Sequence, residues 1–99
     1  MENKTYRYRG QKLTVKRNSY ANNGTLAVCL CNLDGSLYDV ITTNLNHPMQ
    51  SDTMAFLDTN NLPGIEKFVV KNGLGLPMHY TARSGFCEYP LYTFFDEAL

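Results

Sequence analysis

One stretch constrains the fold more than any other: Thr25–Asn32 (TLAVCLCN), followed by Leu33-Asp34-Gly35 and by Ser36–Asn44 (SLYDVITTN). The apolar run is too short for a helix, is bounded by turn formers, and reads as a central strand. Asp34-Gly35 supplies the left-handed positions of a type I′ turn, which sends Ser36–Asn44 back antiparallel beside it. On that return strand Leu37, Asp39, Ile41 and Thr43 share one face, and Tyr38, Val40 and Thr42 the other.

The same period of two recurs at the start of the chain. Thr5-Tyr6-Arg7-Tyr8-Arg9 alternates aromatic and basic residues, and Lys12-Leu13-Thr14-Val15-Lys16 alternates again after Gly10-Gln11. This predicts a hairpin with Tyr6, Tyr8, Leu13 and Val15 inward and Arg7 and Arg9 on the outer face. Asn18–Gly24 is polar and ends in glycine, as a loop does, and Asn46–Asp52 around Pro48 reads the same way. Met54–Leu57 adds a short strand. Asp58–Asn61 then offers capping side chains, Pro63 suits a first helical turn, Ile65, Phe68 and Val69 repeat at helical spacing, and Asn72-Gly73 closes a helix of about nine residues. From Leu74 onward Gly75, Pro77, Gly85 and Pro90 break the pattern, which predicts irregular chain with one strand within Phe86–Phe95, at a sheet edge because of Pro90.

Together these segments predict a single domain over residues 1–99. It is of α+β class, with a mainly antiparallel sheet of about five strands and one short helix packed on it. A chain of 99 residues supports one core and not two. No apolar stretch reaches the ~18 residues of a membrane span, and Glu2, Asn3 and Lys4 follow Met1 where a signal peptide would carry apolar residues, so the expected location is cytoplasmic. In a reducing compartment the three cysteines, Cys29, Cys31 and Cys87, are free thiols.

Nine basic residues against nine acidic give no net charge, which excludes a uniformly basic nucleic-acid binder and a strongly acidic mimic. The charge is nevertheless polarised. Lys4, Arg7, Arg9, Lys12, Lys16 and Arg17 face only Glu2 within the first twenty residues, leaving +5 there and −5 on the remainder. Either the two parts neutralise each other on folding, or each is offered to a partner.

Motifs for chemistry are sparse. Cys29 and Cys31 share a strand face, and with Cys87, His47 and His79 they supply zinc-type ligands. The C-x-C spacing inside an apolar strand suits two small buried residues better than a zinc knuckle, so no metal is expected. Cys87 and His79 form no recognisable nucleophile–base arrangement, Gly73-Leu74-Gly75 lacks the context of a dinucleotide loop, and no phosphate loop is present. No catalytic residue and no cofactor are assigned. The binding candidates are Tyr6, Arg7, Tyr8, Arg9, Lys12, Lys16 and Arg17 on the basic hairpin, and Asp34, Asp39 and Asp52 in the acidic middle. Tyr and Arg anchor protein interfaces, and alternating aromatic and basic residues also serve nucleic acid. On a strand, however, the two types point to opposite faces.

Ser19–Leu45, Ala55–Gly75 (AFLDTNNLPGIEKFVVKNGLG) and Arg83–Phe94 (RSGFCEYPLYTF) resemble a family of bacterial accessory proteins of about the same length. Its members are encoded on conjugative elements, plasmids and phages of Gram-positive and gut bacteria, and Asp58–Pro63 and Tyr89-Pro90 are the stretches that carry the resemblance best. The resemblance implies a context. Small proteins of mobile elements bind and inhibit host defence systems, so a non-enzymatic protein-binding inhibitor of anti-CRISPR or anti-restriction type is expected. Its partner would be a host or element-encoded protein, a defence nuclease among the candidates, met by the basic hairpin or by Asp34–Asp58. The alternative is a nucleic-acid-binding accessory protein in plasmid or phage transfer or replication.

Overall fold

The computed structural model describes residues 4–21, 24–45, 51–95 and 99. The expected loop at 46–50, with His47 and Pro48, and residues 22–23 lie outside the described residues. Among the described residues, eight strands and one helix follow in chain order: β1 (Tyr6–Tyr8), β2 (Gln11–Ser19), β3 (Leu26–Cys31), β4 (Leu37–Val40), β5 (Thr42–Thr43), β6 (Met54–Leu57), α1 (Ile65–Lys71), β7 (Gly75–Ser84) and β8 (Cys87–Phe94). They form two antiparallel four-stranded sheets, ordered β1-β2-β3-β4 and β5-β6-β8-β7. The α+β class holds, and the single sheet of five strands is corrected to two sheets.

The cause lies at Ile41. Alternation along Ser36–Asn44 predicts one continuous strand, yet Ile41 and Thr42 are both buried and the chain turns there from the first sheet into the second. Ile41 N–H still donates to Val28 O, but the next ladder partner is a side chain, since Val28 N–H donates to Thr42 Oγ1 at 3.2 Å. Thr42 Oγ1 also shares a hydrogen bond with the Tyr20 hydroxyl at 3.0 Å. A threonine thereby closes a corner that would otherwise bury an unpaired amide.

Both predicted hairpins form, but the type I′ turn expected at Asp34-Gly35 does not. The two-residue loop with left-handed residues is Arg9-Gly10 (φ 51° and 80°), between the paired Tyr8 and Gln11. At Asp34-Gly35 the loop has three residues instead. Gly35 N–H donates to Asn32 O, Gly35 alone takes a positive φ (92°), and the register slips between Leu30 and Cys31. Glycine meets that left-handed position without a Cβ clash. Tyr8 and Leu13 are buried and Tyr6 and Val15 pack against the core, as the alternation predicts. Strand β2 runs on to Ser19, where Asn18 pairs with Ala27, so the expected loop at Asn18 begins later.

All of β3 is buried. Leu26, Val28 and Leu30 join one cluster with Ile41, Ala55, Leu57, Phe68, Val69, Leu74, Tyr92 and Phe94, filling the space between the sheets and α1. Ala27, Cys29 and Cys31 lie on the other face, opposite Asn18, Lys16 and Thr14 of β2. The cysteines are free, and burial raises the Cys29 thiol pKa, with Cys31 adding and Lys16 opposing.

Helix α1 is seven residues long and buries Ile65, Phe68 and Val69. Asp58 caps the preceding turn rather than the helix, its carboxylate accepting from Asn61 N–H and Nδ2, and Pro63 stands before the helix rather than in its first turn. The C-terminus closes as predicted, Gly73 N–H donating to Val70 O and Leu74 N–H to Val69 O. The Tyr92 hydroxyl of the second sheet donates to Glu66 Oε1 of the helix (2.7 Å), and the Tyr8 hydroxyl of the first donates to Pro63 O just ahead of it (2.8 Å).

The C-terminal third departs most from expectation. Residues 75–84, read as irregular, form the longest strand, β7. Gly75 is required there because an added Cβ would run into the Thr93 carbonyl oxygen across the ladder. Pro77 is tolerated because β7 is an edge strand. Met78, His79 and Tyr80 form a bulge between the pairs Pro77–Tyr92 and Thr81–Pro90, with His79 at φ 58°. Strand β8, placed at an edge by its proline, is interior, with β6 and β7 on either side. Pro90 lies one residue past Leu91, where the β6 ladder ends.

Candidate functional site

Two surfaces stand out. The first is a groove of about 350 Å³ between β1 and α1, lined by Arg7, Tyr8, Arg9, Pro63, Gly64, Lys67, Phe68, Lys71 and Asn72. Its walls come from far apart in the chain and are joined by aromatic packing. Phe68 meets Tyr8 edge to face at 5.2 Å and Tyr6 at 6.3 Å. Burial raises the Tyr8 pKa, Arg9 opposes that, and Tyr38 and Asp39 reinforce it. Lys67 and Lys71, one helical turn apart, face the same way.

The sequence candidates therefore separate. Arg7 and Arg9 reach the groove, Arg9 from the turn and not from the strand, while Lys12 pairs with Arg7 and Lys16 continues that face of β2. Tyr8 is buried and Tyr6 half-buried, so their rings brace the wall. Arg17 is elsewhere: its guanidinium donates to Asp52 O (3.1 Å) and lies 3.5 Å from the Asp52 carboxylate. Asp34 accepts from the Ser36 amide and hydroxyl, which hold its carboxyl below the usual carboxylate range, and the Asp39 carboxylate accepts from Val40 N–H. The three aspartates are dispersed and do not make one acidic site. Lys67 and Lys71 were missed by sequence reasoning, although their i, i+4 spacing on the expected helix was the available signal.

The second surface is the ribbon in which β7 and β8 continue past β6. The pairs from Thr81–Pro90 to Ser84–Cys87 have no third strand, and no residue between Thr81 and Pro90 is buried. Phe86 at its tip is fully exposed, and Leu76, Met78 and Tyr80 on β7 are 49, 39 and 47% exposed. Tyr80 keeps a ring contact with Phe56 at 6.4 Å. The alternation Leu76, Met78, Tyr80 was the sequence signal for this strand, masked by Gly75 and Pro77. Among the described residues no three His, Cys, Asp or Glu side chains gather as a metal site, and no helix is long and apolar enough to cross a membrane.

A small α+β domain with a cationic groove and an apolar ribbon is thus the class that the fold defines. The chain belongs to the family described as a domain of unknown function (DUF4313), whose model matches residues 14–99. The matched span contains Lys67, Lys71 and the ribbon, whereas Arg7 of β1 and Arg9 of the following turn precede it. No curated protein and no solved structure matches the chain.

Proposed function

We propose that the protein is a non-enzymatic accessory factor of a mobile element that acts by binding a host protein, as an inhibitor of a bacterial defence system of anti-CRISPR or anti-restriction type. The observation that carries the binding part is the ribbon, with Phe86 fully exposed at its tip and Leu76, Met78 and Tyr80 exposed beside it. Aromatic residues and methionine are enriched where proteins dock. Two strands without a third are marginally stable, and covering one large apolar side chain contributes about 1.5–3 kcal/mol. A partner that packs on the ribbon therefore gains on both counts.

The defence-system setting rests on the resemblance of Ser19–Leu45, Ala55–Gly75 and Arg83–Phe94 to accessory proteins of conjugative elements and phages. The contact surface moves from where the sequence places it. The acidic residues Asp34 and Asp52 are engaged within the fold, whereas Phe86 at the ribbon's tip is fully exposed.

The test is a phage or plasmid challenge of host cells that carry a defence nuclease, with and without the protein. Protection of the incoming DNA is expected, together with co-purification of the nuclease. Both are lost in Met78→Ser/Phe86→Ser, whose thermal unfolding matches the parent. Protection that survives this variant, or absence of protection against every defence system tested, would contradict the reading.

A further inference from the structure

We propose that the groove between β1 and α1 binds the phosphodiester backbone of single-stranded nucleic acid without reading its bases. Cations stand on both walls, Arg7 and Arg9 on one and Lys67 and Lys71 on the other. None of the four makes an ion pair among the described residues, in contrast to Arg17 and Arg83, which pair with Asp52 and Glu88. Glu66, the acidic residue of α1, instead accepts the Tyr92 hydroxyl of the second sheet.

The charge also extends beyond the groove. Lys12 lies directly across from Arg7, and Lys16 is on the same face of β2. Four cations on two walls, with Lys12 beside Arg7 as a fifth, suit a chain of phosphates better than a single anion. The rings at the groove, Tyr8 and Phe68, are 4 and 5% exposed and packed on each other, so neither offers a face for base stacking. None of the large apolar side chains that the fold exposes belongs to the lining, which leaves an acidic protein segment with no anchor there.

Arg9 is a second and independent sign. It holds a left-handed turn position (φ 51°) that Gly, Asn and Asp occupy far more readily, and it borders the groove beside Tyr8. Turn geometry does not call for arginine at that position, and the guanidinium there adds a cation to the groove.

Fluorescence anisotropy of a labelled oligothymidylate of about 12 nucleotides, titrated with the intact protein over a salt series, tests the proposal. Binding is expected at low salt, with log K falling linearly against log salt at a slope of about −3.5 for about five phosphate contacts. Lys67→Gln/Lys71→Gln is expected to weaken binding about tenfold or more and to flatten the slope by about 1.4, with unchanged thermal unfolding. Arg7→Gln/Arg9→Gln should behave alike, which guards against a fold defect in either variant. No binding at low salt, or affinity unmoved by both double variants, overturns the proposal. Equal affinity for a duplex of the same length removes the single-strand assignment, and preference for polyglutamate gives the groove to an acidic protein segment and overturns it.

Discussion

The groove and the ribbon are both open to solvent, but they are built in opposite ways. The groove's cations are carried by elements locked to the core, since Tyr8 and Phe68 behind them are buried and the Tyr8 hydroxyl is tied to Pro63 O. The ribbon carries Phe86 at the tip of two strands with no buried residue from Thr81 to Pro90, and Leu76, Met78 and Tyr80 precede that stretch on β7. Charge is thus held on elements packed against the core, while Phe86 is held on a stretch of only two strands. Fixed charge suits an anion of regular spacing, and a compliant apolar arm suits a protein surface to which it can adapt.

The strongest way to break the contrast is to remove one aromatic from each region. Phe68→Ala is expected to cost about 3–5 kcal/mol in denaturant unfolding, because it empties the packing between β1 and α1. Phe86→Ala should stay within about 0.5 kcal/mol. Comparable losses would show that the ribbon is part of the core. Thr42→Val comes next, at about 1–3 kcal/mol, since it leaves Val28 N–H without its acceptor and the Tyr20 hydroxyl without its partner.

Alkaline titration sharpens the same division. Burial raises the pKa of Tyr8, Tyr20 and Tyr92, most strongly for Tyr92, where the Glu66 carboxylate adds to it. Their folded-state values lie above the unfolded ~10. The stability they contribute is therefore complete below pH ~10 and is lost as pH rises toward the folded values. Ultraviolet titration of phenolate should show these tyrosines ionising together with unfolding, while unchanged unfolding free energy between pH 9 and about 11 would refute the assignment.

Arg9→Gly should stabilise the protein by about 0.5–1 kcal/mol by relieving the left-handed arginine, yet weaken oligonucleotide binding. Gain in both would remove the functional reason for Arg9. The smallest effect belongs to Arg83→Ala. The pair with Glu88 spans 3.7 Å between exposed side chains, 72 and 52% accessible, and a change below about 0.5 kcal/mol is expected.

Much of the fold is legible along the chain because it is local. The two N-terminal hairpins follow from period-two alternation broken at Gly10 and Gly35, and α1 follows from Ile65, Phe68 and Val69 with its glycine terminus. What was not legible depends on contacts between distant residues. Gly75 and Pro77 read as breakers, since nothing nearby reveals that Gly75 must pass the Thr93 carbonyl or that β7 is an edge strand. Division into two sheets depends on Thr42 standing in for a backbone acceptor, which alternation does not encode. The groove was half visible: Arg7 and Arg9 are conspicuous, but Lys67 and Lys71 join them only because Phe68 packs on Tyr6 and Tyr8.

Amide hydrogen exchange of the intact protein, alone and in complex with the host protein proposed as its partner, tests the ribbon as the docking surface most directly. The account predicts that amides from Thr81 to Pro90 exchange fastest among the strands in the free protein and slow at least about tenfold in the complex. Those of β1 and α1 should remain unchanged. Protection confined to β1 and α1, with the ribbon exchanging as before, would contradict it.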